Sequence, residues 1–150
     1  MDVLTQNMKE MVENHSVGFY ATVDESGSPC VSPKGTSLVL DDTTIMFGNI
    51  RSPQTVKNIQ RIPDMEVCFL DVLSRRAFRA KGKARYIKSA TEEFRKLISK
   101  FEKWGDLVKN IKGIIILKVI RATEIKSPIY DIGANERELR EKWKQHYQNL

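Results

Sequence analysis

The sequence predicts a β-rich α+β domain, an antiparallel six-stranded β-barrel with peripheral helices, and three observations carry that expectation. Six strand-like stretches run through the chain, short turns join most of them, and helices enter singly instead of alternating with strands as in a parallel sheet. At 150 residues, 41% hydrophobic and 29% charged, the chain has the size and composition of one globular domain spanning 1–150.

The elements follow in order. Leu4, Met8, Met11 and Val12 recur at helical spacing, and Val17, Phe19, Ala21 and Val23 then recur at the two-residue period of a half-buried strand. DESGSP at 24–29 has turn chemistry, after which CVSPKGTSLVL runs to a second turn at Asp41 and Asp42. Pro33 and Gly35 within that run argue for an edge strand, a bulge or a place where something approaches the backbone. TIMFG at 44–48 is a short strand. A helix opens at Pro53 with Ser52 as its N-cap and stops near Arg61, because Pro63 disfavours helix at Ile62.

MEVCFLDV at 65–72 is the next strand. Residues 78–87 alternate Phe78, Ala80, Gly82, Ala84 and Tyr86 against Arg79, Lys81, Lys83 and Arg85, which predicts one packed face and one cationic, solvated face. Ser89 and Glu92 form a capping box for a helix carrying Phe94, Leu97, Ile98 and Phe101, and Gly105 separates it from a second short helix with Leu107, Val108 and Ile111. These aromatics and Trp104 read as core, not as a base-stacking platform. Residues 114–125 form the last strand. SPIYDIG follows as a loop, and a terminal helix begins at Asn135 with Leu139, Trp143, Tyr147 and Leu150 on one face.

MDVLTQNMKEMVEN has no basic start followed by an apolar stretch, and GIIIL at 113–117 is far too short to span a bilayer, so a cytoplasmic protein without a membrane partner is expected. Cys30 and Cys68 are expected to be reduced, with Cys68 in the core. His15 and His146 stand apart from any carboxylate or cysteine pattern, so neither a metal site nor a Ser/His/Asp triad is expected. A net charge of +6 favours anionic partners, whether nucleic acid, a phosphorylated cofactor or an acidic surface.

Two segments carry site chemistry. In NIRSPQTVKN (49–58) a strand ends and a helix begins, so first-turn amides and the positive end of the helix dipole meet Arg51, Thr55 and Lys57. That set suits a phosphate monoester, and equally a capped helix with a solvated basic rim. SPKGT (32–36) offers the Ser32 and Thr36 hydroxyls, the Lys34 ammonium and a glycine that admits a planar ligand, or else a bulge that turns a barrel strand.

In this order the two segments resemble the pyridoxamine 5′-phosphate oxidase-like family of flavin-binding split β-barrels. The resemblance runs from FYATVDESGSPCVSPKGT through IMFGNIRSPQTVKNIQRIPDMEVCFLD to FRAKGKARYI, and SPIYDIG is similar to one subgroup. It implies a homodimer with flavin mononucleotide (FMN) at the subunit interface and an oxidoreductase acting on a small-molecule substrate, with nucleic acid not expected. It places Ser32, Pro33, Lys34, Gly35 and Thr36 along the isoalloxazine ring and has Asn49 and Ile50 lead towards the phosphate. Arg51, Ser52, Thr55, Lys57 and Asn58 would hold that phosphate, and one cation of residues 79–85 would reach a flavin across the dimer. Tyr130 would cover a flavin face or anchor its loop. The chain departs from the vitamin B6 oxidases at Pro53 and Gln54, where they carry Ser-Arg-Lys, and it lacks their carboxy-terminal arginine motif. A flavin carrier without catalysis, or a deazaflavin or haem binder on the same fold, is the alternative; a basic RNA-binding barrel is more remote.

Overall fold

The first helix, α1 (Gln6–His15), is capped by Thr5, whose hydroxyl accepts from the Met8 amide, and it ends where Ser16 turns left-handed at φ 59°. It packs Met8 and Val12 onto the sheet. The computed structural model describes residues 3–150, and its strands are β1 (Gly18–Val23), β2 (Pro29–Lys34), β3 (Ser37–Asp41), β4 (Thr44–Asn49), β5 (Asp64–Asp71), β6 (Arg76–Lys88) and β7 (Gly113–Lys126). All pair antiparallel in the order β2-β1-β5-β6-β7-β4-β3.

The sheet therefore has seven strands where the sequence predicts six. The run after Pro29 is two strands, because β2 pairs with β1 whereas β3 pairs with β4 at the other end of the order. Gly35 and Thr36 carry the chain across the seam. β2 has one neighbour only, so Pro33, which has no N–H to donate, is tolerated there as expected of an edge.

The β1 face is reversed relative to its hydrophobic pattern. Gly18, Tyr20 and Thr22 point inward, while Val17 and Phe19 stay 42% and 45% exposed. The interior accepts the polar tips because each has a partner: the Tyr20 and Ser37 hydroxyls lie 2.8 Å apart, and Thr22 Oγ1 accepts from Asn58 at 3.0 Å. A hydroxyl satisfied in this way costs little to bury, so the pattern of apolar side chains alone does not choose the face.

Phe69, Phe78, Phe47 and Ile115 fill the barrel. β6 keeps its predicted faces, with Phe78, Ala80 and Ala84 buried and its cations outside. Ile114–Leu117 are buried on both faces, since Ile115 and Leu117 enter the barrel while Ile114 and Ile116 join Phe101, Ile111 and Met46 in a second cluster outside it. That cluster is roofed by α3 (Glu92–Leu97) and the 3-10 segment Ile98–Asn110, broken at Gly105 by φ 57°. Phe94 and Trp104 pack against it, as the core reading requires. The α3 cap is Thr91 instead of Ser89; its hydroxyl accepts from the Phe94 amide and donates to the Lys88 carbonyl. Cys68 is only half-buried, on the outer face opposite Phe19, contrary to the core expectation, and both cysteines are free thiols.

Between Pro53 and Arg61 the predicted helix forms, α2 (Pro53–Arg61). The carboxy-terminal helix, α4 (Glu136–Gln148), buries Leu139 and lays Trp143 under the Arg75 guanidinium at 3.7 Å, while Leu150 of the same expected face stays exposed. Its main polar tie is Arg140 to Asp71, 2.5 Å. Burial pushes the Asp71 carboxyl up, but the Ser74 hydroxyl, the Leu73 and Ser74 amides and Arg140 together outweigh it and hold the group below its ordinary range. Stability from the ionised form is thus present above the unfolded value near 4 and is lost as pH falls through the lower folded value. Asp71→Asn is expected to cost about 2 kcal/mol at pH 7, and denaturant titrations between pH 5 and pH 2 should show the parent losing that margin while D71N does not.

Candidate functional site

The two chemistry-bearing segments meet. Lys34 at the end of β2 donates its Nζ to Ser52 Oγ at 2.8 Å, across the seam that separates β2 from β3. Ser52 stands at the N-cap position of α2 but makes no capping bond, which corrects the sequence expectation. Its hydroxyl serves Lys34, so among the described residues no side chain caps α2; the Val56 amide donates to the Ser52 carbonyl, and the Gln54 and Thr55 amides are left as donors for an outside anion. Burial pushes the Lys34 ammonium down from its ordinary value, a shift that an adjacent anion opposes.

The remaining expected residues divide by environment. Arg51 and Lys57 are exposed and Thr55 is buried in the first turn of α2. Ser32 is half-buried opposite Tyr20, and Pro33 is exposed opposite Phe19. Gly35 is exposed, with nothing within 4 Å of where a Cβ would stand, so its backbone can be approached. Thr36 is otherwise engaged: its hydroxyl donates to the Gly48 carbonyl and accepts from the Gly48 amide, both at 3.0 Å, clamping the corner to β4.

Asn58 is 1% exposed, and its amide donates to Thr22 and accepts from Gln54 at 2.7 Å. It fastens α2 to β1, with both ends of its side-chain amide engaged within the chain. Asn49 donates to the Tyr86 hydroxyl at 3.1 Å, while its Oδ1 is buried without a partner. Ile50 packs on the outer cluster.

Beside Arg51 an open hollow of about 640 Å³ is also lined by Ile50, Lys109, Asn110 and Lys112. The two lysines enlarge the cationic field at the helix start. Nothing in the sequence near 49–58 points to them, because Lys109 lies in the 3-10 segment and Lys112 just after it, where the Lys112 backbone N–H donates to the Asn49 carbonyl at 2.8 Å. Tyr130 is a loop anchor here, with its hydroxyl donating to the Ser74 carbonyl at 2.5 Å. His15, which looked isolated, lies 3.7 Å from buried Asp71. Among the described residues no group of three or more His, Cys, Asp or Glu side chains gathers to hold a metal, and no helix is long and apolar enough to cross a membrane.

The fold is thus an antiparallel split barrel whose seam brings a half-buried lysine to a helix start without a side-chain cap. The family described as pyridoxamine 5′-phosphate oxidase matches residues 4–125, and the chain belongs to it. Among solved structures it is similar to HupZ of Group A Streptococcus, at 26% identity over 83% of this chain and 95% of that one, TM-score 0.69. Two more distant structures share the fold. An FMN-binding protein from Syntrophomonas wolfei is 14% identical over 79% of this chain and 84% of its own, TM-score 0.66. HutZ, a haem storage protein from Vibrio cholerae, is 14% identical over 82% and 94%, TM-score 0.62. No protein of the curated set matches.

Proposed function

We propose that this chain binds FMN and acts as a flavin-dependent oxidoreductase on a small molecule. The observation that carries the reading is the Lys34–Ser52 hydrogen bond, which joins the expected ring segment to the expected phosphate segment at an uncapped helix start. The donor set fits a phosphate monoester: a half-buried ammonium, an exposed guanidinium at Arg51, first-turn amides and the Ser52 hydroxyl.

FMN, when bound, supplies the redox chemistry. In this reading Lys34, which the resemblance implied lies along the ring, instead holds the phosphate end together with its partner Ser52, and Arg51 and Lys57 add charge at its rim. The exposed backbone at Pro33–Gly35 gives a flat ligand a surface to lie on. A second copy of the chain completes the pocket in this reading, a homodimer with the ligand between subunits.

The test is the visible spectrum of the purified protein, mass identification of the released ligand, and turnover with reduced nicotinamides and small oxidised acceptors. Flavin bands with FMN mass and acceptor-dependent reoxidation are expected. A colourless protein that fails to take up added FMN would refute the reading, and flavin without turnover would make the chain a carrier. A Soret band would support the haem alternative, which the likeness to HutZ favours.

A further inference from the structure

The carboxy-terminal helix is fastened to the barrel at one short turn. Residues 72–75 join β5 to β6, and Arg75 in that turn is left-handed at φ 58°. Asp71, Ser74, Arg75 and Arg76 together hold the carboxy-terminal segment there. The Asp71 carboxylate accepts from Arg140 at 2.5 Å, and Arg76 Nε lies 3.3 Å from Glu136. The Arg75 guanidinium stacks on the Trp143 ring at 3.7 Å and donates to the Tyr147 hydroxyl at 3.4 Å. The Ser74 carbonyl accepts from Tyr130, just ahead of the helix.

Apolar burial adds little to this attachment. Leu139 is the one buried residue of α4, and it belongs to neither core cluster. The side chains of Arg140, Glu136 and Arg76 are 44%, 43% and 31% exposed. Contacts between charges this open to water are individually weak and are screened by salt. A pivot stands beside them: Gly133, at φ 94°, lies between the Tyr130 anchor and the start of α4, in a conformation that glycine takes without strain. By contrast α1 is seated in the barrel core by Met8 and Val12.

Between α1 and α4 lies a cavity of about 380 Å³. Its floor includes Met8, Met11 and Phe78, and α4 supplies Glu136 and Arg140 to its wall, the same two side chains that tie the helix down. A helix docked by charge and set on a glycine pivot thus covers an apolar floor that is itself anchored in the core.

We propose that α4 is a hinged lid on this cavity, which swings off the β5–β6 turn about Gly133 as a unit and exposes Met8 and Met11 while the barrel stays folded. The lid is separate from the start of α2 and works whether or not that site takes FMN.

Hydrogen exchange on the full chain tests it. The amides of residues 139–143 should share one exchange rate that barely responds to sub-denaturing urea, whereas those of Phe47 and Ile115 should exchange only through global unfolding, with its full urea dependence. Raising sodium chloride from about 0.05 M to about 1 M should speed exchange in α4 several-fold. Arg140→Gln should speed it about tenfold, as the loss of one charge-assisted hydrogen bond requires, with Phe47 and Ile115 still far slower than α4. Arg137→Gln, at an exposed cation of the same helix, should leave it unchanged. In a Cys30→Ser, Cys68→Ser chain, the thiol introduced by Met8→Cys should react with iodoacetamide faster when Arg140→Gln is added. Exchange in α4 with the same urea dependence as Ile115 would overturn the proposal, because α4 would then open only with the barrel. So would equal exchange in R140Q and R137Q, or thiol labelling that ignores Arg140→Gln, which would show a cavity that is open without any movement of α4.

Discussion

Gly82→Ala is expected to be among the most damaging single-methyl additions in this chain, costing about 3 kcal/mol and lowering the melting temperature by on the order of 8 °C. A Cβ at Gly82 would stand 1.8 Å from the Lys118 carbonyl oxygen and 2.8 Å from its carbon. Both are backbone atoms of β7, so no side chain can swing aside. β6 and β7 would have to separate at the bulge where the register shifts between Lys81 and Gly82, in the most extensively paired part of the sheet. Gly35→Ala is the control, because nothing lies within 4 Å of its added Cβ; a change within about 0.5 kcal/mol is expected there. Urea and thermal unfolding of the two variants beside the parent measure the difference. A G82A protein melting within about 2 °C of the parent would show that the strands yield more easily than this geometry allows.

Simultaneous Lys34→Ala and Arg51→Ala should weaken FMN about 100-fold while changing riboflavin affinity less than about threefold. Charge-assisted hydrogen bonds to an ionised group are worth about 1.5–3 kcal/mol each, and about 3 kcal/mol in total corresponds to two decades in affinity. Riboflavin lacks the phosphate and loses none of this. Fluorescence quenching titrations of both ligands measure the ratio, and equal losses would contradict the phosphate assignment. The pH dependence provides a second readout. Because burial pushes the Lys34 ammonium down, it discharges at a lower pH than a surface lysine as the solution becomes alkaline. FMN affinity in the parent should therefore fall on the alkaline side, and the Lys34→Ala variant should lose that part of the fall.

Tyr20, Thr22 and Asn58 mark where local pattern and tertiary context part company. The β1 alternation placed Phe19 and Val23 inside on hydrophobicity alone, yet the barrel interior takes the hydroxyls because Ser37 and Asn58 reach them. The outer face then keeps Val17, Phe19 and Ile120 exposed, which the pattern of β1 by itself hides. The family resemblance implied Asn58 as a phosphate ligand, and in the fold its amide donates to Thr22 and fastens α2 to β1. Lys109 and Lys112 were invisible for the opposite reason, since only the docking of the 3-10 segment beside Asn49 brings them to Arg51.

By itself the sequence determined what local physics dictates. The alternation of β6, the Pro53 helix start, the edge character of the Pro33 strand and the family likeness all rest on neighbours within a few residues. They follow from side-chain period, proline's missing donor and the charge at a helix end. Only the tertiary structure decided which face of β1 turns inward, that Pro29–Asp41 is two strands divided across a seam, and that Lys34 meets Ser52 over that seam. It also decided which cations of β6 meet a carboxylate, with Arg79 beside Glu66 and Lys83 beside Asp64. Those outcomes depend on partners far along the chain, whose hydrogen bonds and charges are brought within reach only when the sheet closes.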